Sequence, residues 1–165
     1  MHLLWLYYTA IVKERTSALI YCVAIIHRSG QNGEDLYLYD SKLKKWYKSV
    51  SGKKAEAPEY TEEQKRAIAD SERDTLISFH NHPASMTPGV EDINSAFQKG
   101  YRKGYVRCHN GRIFEYTRAS VFVSETIYER KIAKLIKKGY NVFDAQMNTI
   151  KELSKLYGFS FKEVQ

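Results

Sequence analysis

His80-Asn81-His82-Pro83, with Asp92 ten residues beyond the second histidine, is a set of donors able to hold a metal ion. Side chains on an extended strand alternate faces with period two, so His80 and His82 point the same way and their rings converge. Pro83 ends that strand, and the helix start that follows carries Asp92 in its first turns. A short loop then folds the carboxylate back toward the two imidazoles. Two histidines, a carboxylate and a water make a four-coordinate zinc site with one open position, the arrangement that catalytic zinc uses.

Other residues with metal-binding chemistry read differently. Cys22 and Cys108 stand far apart in a chain with no CxxC pair, which gives neither a disulfide framework nor a cysteine zinc knuckle. Both read as small buried hydrophobes. His109 follows Cys108 directly, and adjacent strand residues face opposite ways, so His109 reads as a hairpin-tip residue instead of half of a second site. Asp92 and its neighbour Glu91 also suit a helix first turn as dipole partners, worth about 0.3–1 kcal/mol each.

The elements that position these groups are legible in outline. A chain of 165 residues, 43% hydrophobic, is long enough for one domain with a sizeable core. Ala18 to Ile26 is a continuous apolar run that reads as a buried strand, whereas the first dozen residues fit a helix or a strand equally well. Leu36 to Tyr39 and Leu43 to Val50 form a hairpin around Asp40-Ser41-Lys42. Thr61-Glu62-Glu63-Gln64 has the form of a capping box and predicts a helix to about Arg73; Thr75 to His80 is then a central strand. Thr87-Pro88 marks the next helix, Thr as cap and Pro at the first helical position, with Ile93, Ala96, Phe97 and Tyr101 as its apolar face. Tyr105 to Cys108 and Arg112 to Tyr116 flank Asn110-Gly111, the strongest hairpin signal of the chain. Ser124 to Lys138 and Phe143 to Tyr157 repeat apolar residues at helical spacing and predict an antiparallel helical hairpin, either packed on the main domain or serving as a partner-binding arm.

Charge leaves the choice of partner open. The net charge of +7 and a pI near 9.3 permit contact with nucleic acid without requiring it. Trp46 and Tyr47 among Lys44, Lys45 and Lys48 suit base stacking, and suit a lysine-blunted edge strand equally well. Met1 to Val12 is apolar but lacks the basic start and cleavage site of a secretion signal, and Lys13, Glu14 and Arg15 interrupt it short of a membrane span. A cytoplasmic protein with no membrane partner is expected.

The segment from Ile77 to Tyr116, with His80-Asn81-His82-Pro83, then Thr87-Pro88-Gly89-Val90-Glu91-Asp92-Ile93, then the Gly104 to Tyr116 hairpin, resembles the JAMM/MPN metallopeptidase domain. Its nearest likeness is to the RadC-like branch of bacterial and phage-type JAB proteins. The family motif is His-x-His, seven residues, Ser, two residues, Asp, with a Glu on a strand upstream. The resemblance implies an α/β (α+β) fold over residues 1–118, a JAB/MPN-like, cytidine-deaminase-like mixed sheet flanked by helices; residues 119–165 follow as the helical hairpin that the apolar spacing predicts, expected to pack on it. It implies Zn2+ held by His80, His82 and Asp92, and hydrolysis of a peptide or isopeptide bond in a peptide or protein substrate. Here the loop is one residue shorter and Gly89 stands where the family has its serine, so Ser85 or Thr87 is expected to substitute.

The general base implied by the resemblance, which takes a proton from the attacking water and passes it to the leaving amine, is Glu14, ahead of the Ala18 to Ile26 run. Glu34, ahead of Leu36, is the second candidate, and Glu14 also reads as a solvated charge beside Lys13 and Arg15. The glycine and the basic charge carry an alternative: a catalytically weakened RadC/JAB-fold module that binds nucleic acid or a phage or mobile-element protein. The letters His-Asn-His do not make an HNH endonuclease, because its three named residues are spread over a ββα unit and are not adjacent.

Overall fold

A run of Leu and Tyr, buried on both faces, builds β1 (Leu36–Asp40), which pairs in a hairpin with β2 (Lys45–Ser49). Its turn is held by the Asp40 carboxylate, which accepts the backbone amides of Lys42 at 2.8 Å and Leu43 at 2.9 Å. The computed structural model describes residues 33–49 and 59–164. Glu14, the N-terminal apolar stretch and the Ala18 to Ile26 run lie outside the described residues.

Helix α1 (Glu62–Asp70) starts at the expected capping box: Thr61 Oγ1 accepts the Gln64 amide, and Gln64 Oε1 accepts the Thr61 amide. The other end of the Gln64 carboxamide, fully buried, donates to the Leu36 carbonyl at 3.2 Å and ties the helix to the start of β1. Strand β3 (Leu76–His82) follows, and then helix α2 (Val90–Lys99). This helix begins at Val90 with Gly89 as its N-cap, not at Thr87-Pro88. The Asp92 carboxylate accepts the Gly89 amide at 2.8 Å, which satisfies the helix end, while the buried Thr87 hydroxyl has no hydrogen-bond partner and caps nothing.

The Asn-Gly hairpin forms as β4 (Lys103–Cys108) and β5 (Ile113–Thr117), and the two C-terminal helices as α3 (Glu125–Lys137) and α4 (Val142–Tyr157). Ser124 and Asn141 cap their starts, and Gly158, left-handed at φ +67°, ends α4. The chain then returns as a further strand, β6 (Phe161–Val164), which the helical pattern did not anticipate.

The fold is mixed α/β, with four helices and a six-stranded sheet of order β2-β1-β3-β4-β5-β6 among the described residues. All neighbouring strands are antiparallel except the central pair β3 and β4. A parallel pair requires a crossover, and α2 supplies it. Leu38, Val106, Phe114, Tyr116, Ile93, Ala96, Ile150 and Leu153 form one cluster where helices meet sheet; Tyr37, Ile77, Phe79, Tyr105 and Ile113 form a second on the opposite face. Among the described residues no helix is long and apolar enough to cross a membrane.

Candidate metal centre

The C-terminal end of β3 and the N-terminus of α2 meet beside the only parallel strand pair in the described sheet. This is the crevice where open α/β sheets gather ligands. Strand alternation sends His80 and His82 to the face covered by α2, and Asp92, third residue of that helix, turns back to meet them. His80 Nε2 lies 3.0 Å from Asp92 Oδ1 and 3.1 Å from His82 Nε2, and His82 Nε2 lies 3.6 Å from Asp92 Oδ2.

These separations can be set against what a metal requires. Zinc bonds of about 2.0–2.1 Å in a tetrahedron place ligand atoms roughly 3.3 Å apart. The two imidazole nitrogens, 3.1 Å apart, and their separations of 3.0 and 3.6 Å to the two different Asp92 oxygens lie near that edge, so the three side chains are close enough to share one ion. The three are a group that could hold a metal ion, one atom of each lying within 4.8 Å of the others.

The surroundings orient the ligands. His82 Nδ1 donates to the Met86 carbonyl at 3.1 Å, which leaves the Nε2 lone pair facing the other two donors. The Cys108 thiol donates to the same carbonyl at 3.2 Å. Cys108 lies opposite His82 on β4 and burial pushes its thiol up to about 12; the thiol is turned to the Met86 carbonyl and is not in the group of converging donors. Burial would raise the Asp92 carboxyl, but His80, His82 and the Gly89 amide outweigh it and hold the group below the usual carboxylate range. For His80, burial opposes the charged ring, whereas Asp92 and then Glu34 favour it and prevail, so its pKa is raised.

Glu34 is the second group that the crevice gathers. It lines a cavity of about 190 Å3 together with His80 and Asp92. Burial raises its carboxyl above the ordinary glutamate value, against the pull of His80 and His82. Its approach to the metal centre follows from pairing: Leu36 is opposite His80 in β1 and β3, so the residue two positions earlier falls on the same face near the end of β3. Asn81, between the two histidines and facing away from them, fixes this segment. Its Oδ1 accepts the Asp35 amide at 2.7 Å and its Nδ2 donates to the Gly33 carbonyl at 3.0 Å, one bond on each side of Glu34.

The two serine substitutes stand elsewhere. Ser85, at φ +56°, accepts the Asn110 amide at the hairpin tip, and neither Ser85 nor Thr87 is among the described residues that line the cavity. His109 sits in the tip as expected and hydrogen-bonds through Nε2 to Asn81 Nδ2 at 3.2 Å. Sequence reading missed both this role of Asn81 and the cavity wall formed by Tyr60, Ser78, Tyr101 and Tyr116. The one signal for that wall is Gly104, because a glycine inside a strand marks a close approach. No family model, no curated protein and no solved structure matches this chain.

Proposed function

We propose that this protein is a zinc-dependent hydrolase of the JAMM type that cleaves a peptide or isopeptide bond. The observation that carries the reading is the convergence of His80, His82 and Asp92 at one point, with Glu34 on the same cavity. Zinc bound there supplies Lewis acidity toward a carbonyl oxygen and toward water. His80 and His82 would hold it through neutral nitrogen donors and Asp92 through one anionic oxygen.

Glu34 is the general base in this reading. Its carboxylate takes a proton from the attacking water as the carbon–oxygen bond forms, then delivers it to the amine nitrogen as the carbon–nitrogen bond breaks. A carboxyl raised by burial is closer to neutral pH and better suited to return that proton. Asn81 holds the backbone on both sides of Glu34, so the base stays near the ligands without being one.

The test is metal analysis of the purified chain with hydrolysis of a mixed peptide pool. One zinc per chain, lost in His80→Ala, is expected. Glu34→Gln should retain zinc and lose hydrolysis by about 10²–10⁴-fold, the usual weight of a general base. Full hydrolysis by Glu34→Gln with loss in Glu14→Gln moves the base to Glu14. One zinc without hydrolysis in the native chain favours a weakened binding module, a reading supported by the Ser85 hydroxyl being engaged with Asn110.

A further inference from the structure

The 190 Å3 cavity beside His80 and Asp92 continues away from the metal ligands into a chamber lined by hydroxyl groups. Ser78, Gly104 and Tyr116 lie side by side in one row across β3, β4 and β5. Because the middle residue has no side chain, the Tyr116 ring lies over it and its hydroxyl comes within 3.4 Å of Ser78 Oγ. A Cβ on Gly104 would stand 2.2 Å from the Tyr116 ring, 2.3 Å from its hydroxyl and 2.7 Å from Ser78 Oγ. Across the cavity the Tyr101 hydroxyl donates to that of Tyr60 at 3.2 Å.

The hydroxyl hydrogens limit what the cavity can accept. Each of these two hydroxyl pairs holds two hydrogens and spends one on its internal bond, so each keeps one for an acceptor. Lys and Arg side chains would be drawn by Glu34, Glu91 and Asp92, yet they carry donors only and leave both hydroxyl hydrogens unmet. A carboxylate side chain would accept them, but Glu34, Glu91 and Asp92 border the same cavity and repel it. The volume suits one short side chain: 190 Å3 lies below the roughly 300–1,000 Å3 of sites that take whole small molecules.

We propose that this cavity selects the substrate residue adjoining the scissile bond, and that it takes a short, neutral side chain with a hydrogen-bond acceptor: Ser, Thr, Asn or Gln. The assignment rests on the hydrolase reading for the bond that is cut, and on the cavity alone for the side chain that is recognised. Tyr116 and Ser78 supply one donor, and Tyr60 with Tyr101 the other.

Two measurements separate the two claims. In the first, full-length protein labelled with 3-fluorotyrosine is titrated, metal-free and zinc-loaded, with acetamide and with acetate, two probes of equal size that differ in charge. Acetamide is expected to shift the Tyr60 and Tyr116 fluorine resonances in both forms, acetate to leave them unshifted in the metal-free form, and Tyr116→Phe to weaken the acetamide response. Equal responses to both probes, or none to acetamide, overturn the cavity assignment whether or not the protein hydrolyses anything. In the second, zinc-loaded protein is given a degenerate peptide pool and its products are sequenced by mass spectrometry. Enrichment of Ser, Thr, Asn and Gln on one side of the cut by about tenfold over acidic and aromatic residues is expected, the weight of one hydrogen bond. Gly104→Ala, which drives the Tyr116 ring into the cavity, should erase that enrichment, and Tyr116→Phe should reduce it. Cutting without enrichment overturns the cavity assignment, whereas an acetamide response without any cutting overturns the hydrolase reading and leaves the cavity as a binding site.

Discussion

Asn81 accepts the Asp35 amide at 2.7 Å across a separation of 46 residues, from a position between two metal-ligand candidates whose side chains point to the opposite face. One carboxamide thereby couples the strand that carries His80 and His82 to the segment that carries Glu34. Asn81 is fully buried, and its removal takes one hydrogen bond from the Asp35 amide and one from the Gly33 carbonyl. Asn81→Ala should therefore cost about 1–3 kcal/mol in denaturant unfolding, the net weight of two hydrogen bonds. Zinc stoichiometry should stay at the native value, because neither histidine loses a partner. A variant as stable as the native chain would show that the clamp contributes nothing.

Metal should also act as a stabilising ligand. The three donors come from β3 and α2, two elements that an unfolded chain does not hold together, so zinc binds the folded state preferentially. At free zinc about 100-fold above the dissociation constant, the folded state gains about 2.7 kcal/mol. Thermal melting should rise with added zinc and fall back with a chelator, and Asp92→Asn should abolish most of the rise. A melting temperature indifferent to zinc in the native chain would sink the metal assignment.

How much of this centre was legible depends on the range over which each contact acts. His80 and His82 on one face follow from strand period alone, and Asp92 in the first turn of the next helix follows from the position of Pro83 and the apolar face that ends at Tyr101. The helix start itself was misread, because Thr87-Pro88 is the stronger local signal and only the Asp92 bond to Gly89 reveals the cap. Glu34 was one of two candidates, and its partners across β1 and β3 become known only once Leu36 is seen opposite His80. The last strand was invisible for a similar reason. Phe161-Lys162-Glu163-Val164 is short and half charged, and it is fixed by pairing with β5 and by the Lys162 ion pair to Glu115 at 2.8 Å.

That ion pair carries a pH prediction. Burial works to raise the Glu115 carboxyl, but the Lys162 bond, then the Tyr105 hydroxyl, then Lys103 outweigh it, and the folded-state pKa lies below the ordinary value of 4.5. A depressed folded pKa contributes stability that is present above the unfolded value and lost as pH falls through the folded one. Unfolding free energy should decline as pH drops below about 4.5, with a shallower decline in Glu115→Gln. Identical slopes for the two proteins between neutral pH and pH 3 would exclude Glu115 as a contributor.

The C-terminal segment should prove inseparable from the sheet. Ile150 and Leu153 of α4 are fully buried in the same cluster as Phe114 and Tyr116, and Phe161 stacks on Phe114 with ring centroids 5.6 Å apart. Thr117 also accepts the Ser160 amide through its side chain at 2.9 Å, so β5 and β6 are joined beyond their ladder. Removing residues 119–165 exposes Phe114 and leaves β5 as an open edge, a surface that invites aggregation. Each large core side chain so exposed forfeits about 1.5–3 kcal/mol, and loss of only three or four approaches the whole stability of a typical domain. The truncated chain should be insoluble or lack a cooperative melting transition, as read by calorimetry. A soluble, cooperatively folded fragment that still binds one zinc would show instead that the helical pair is an appendage.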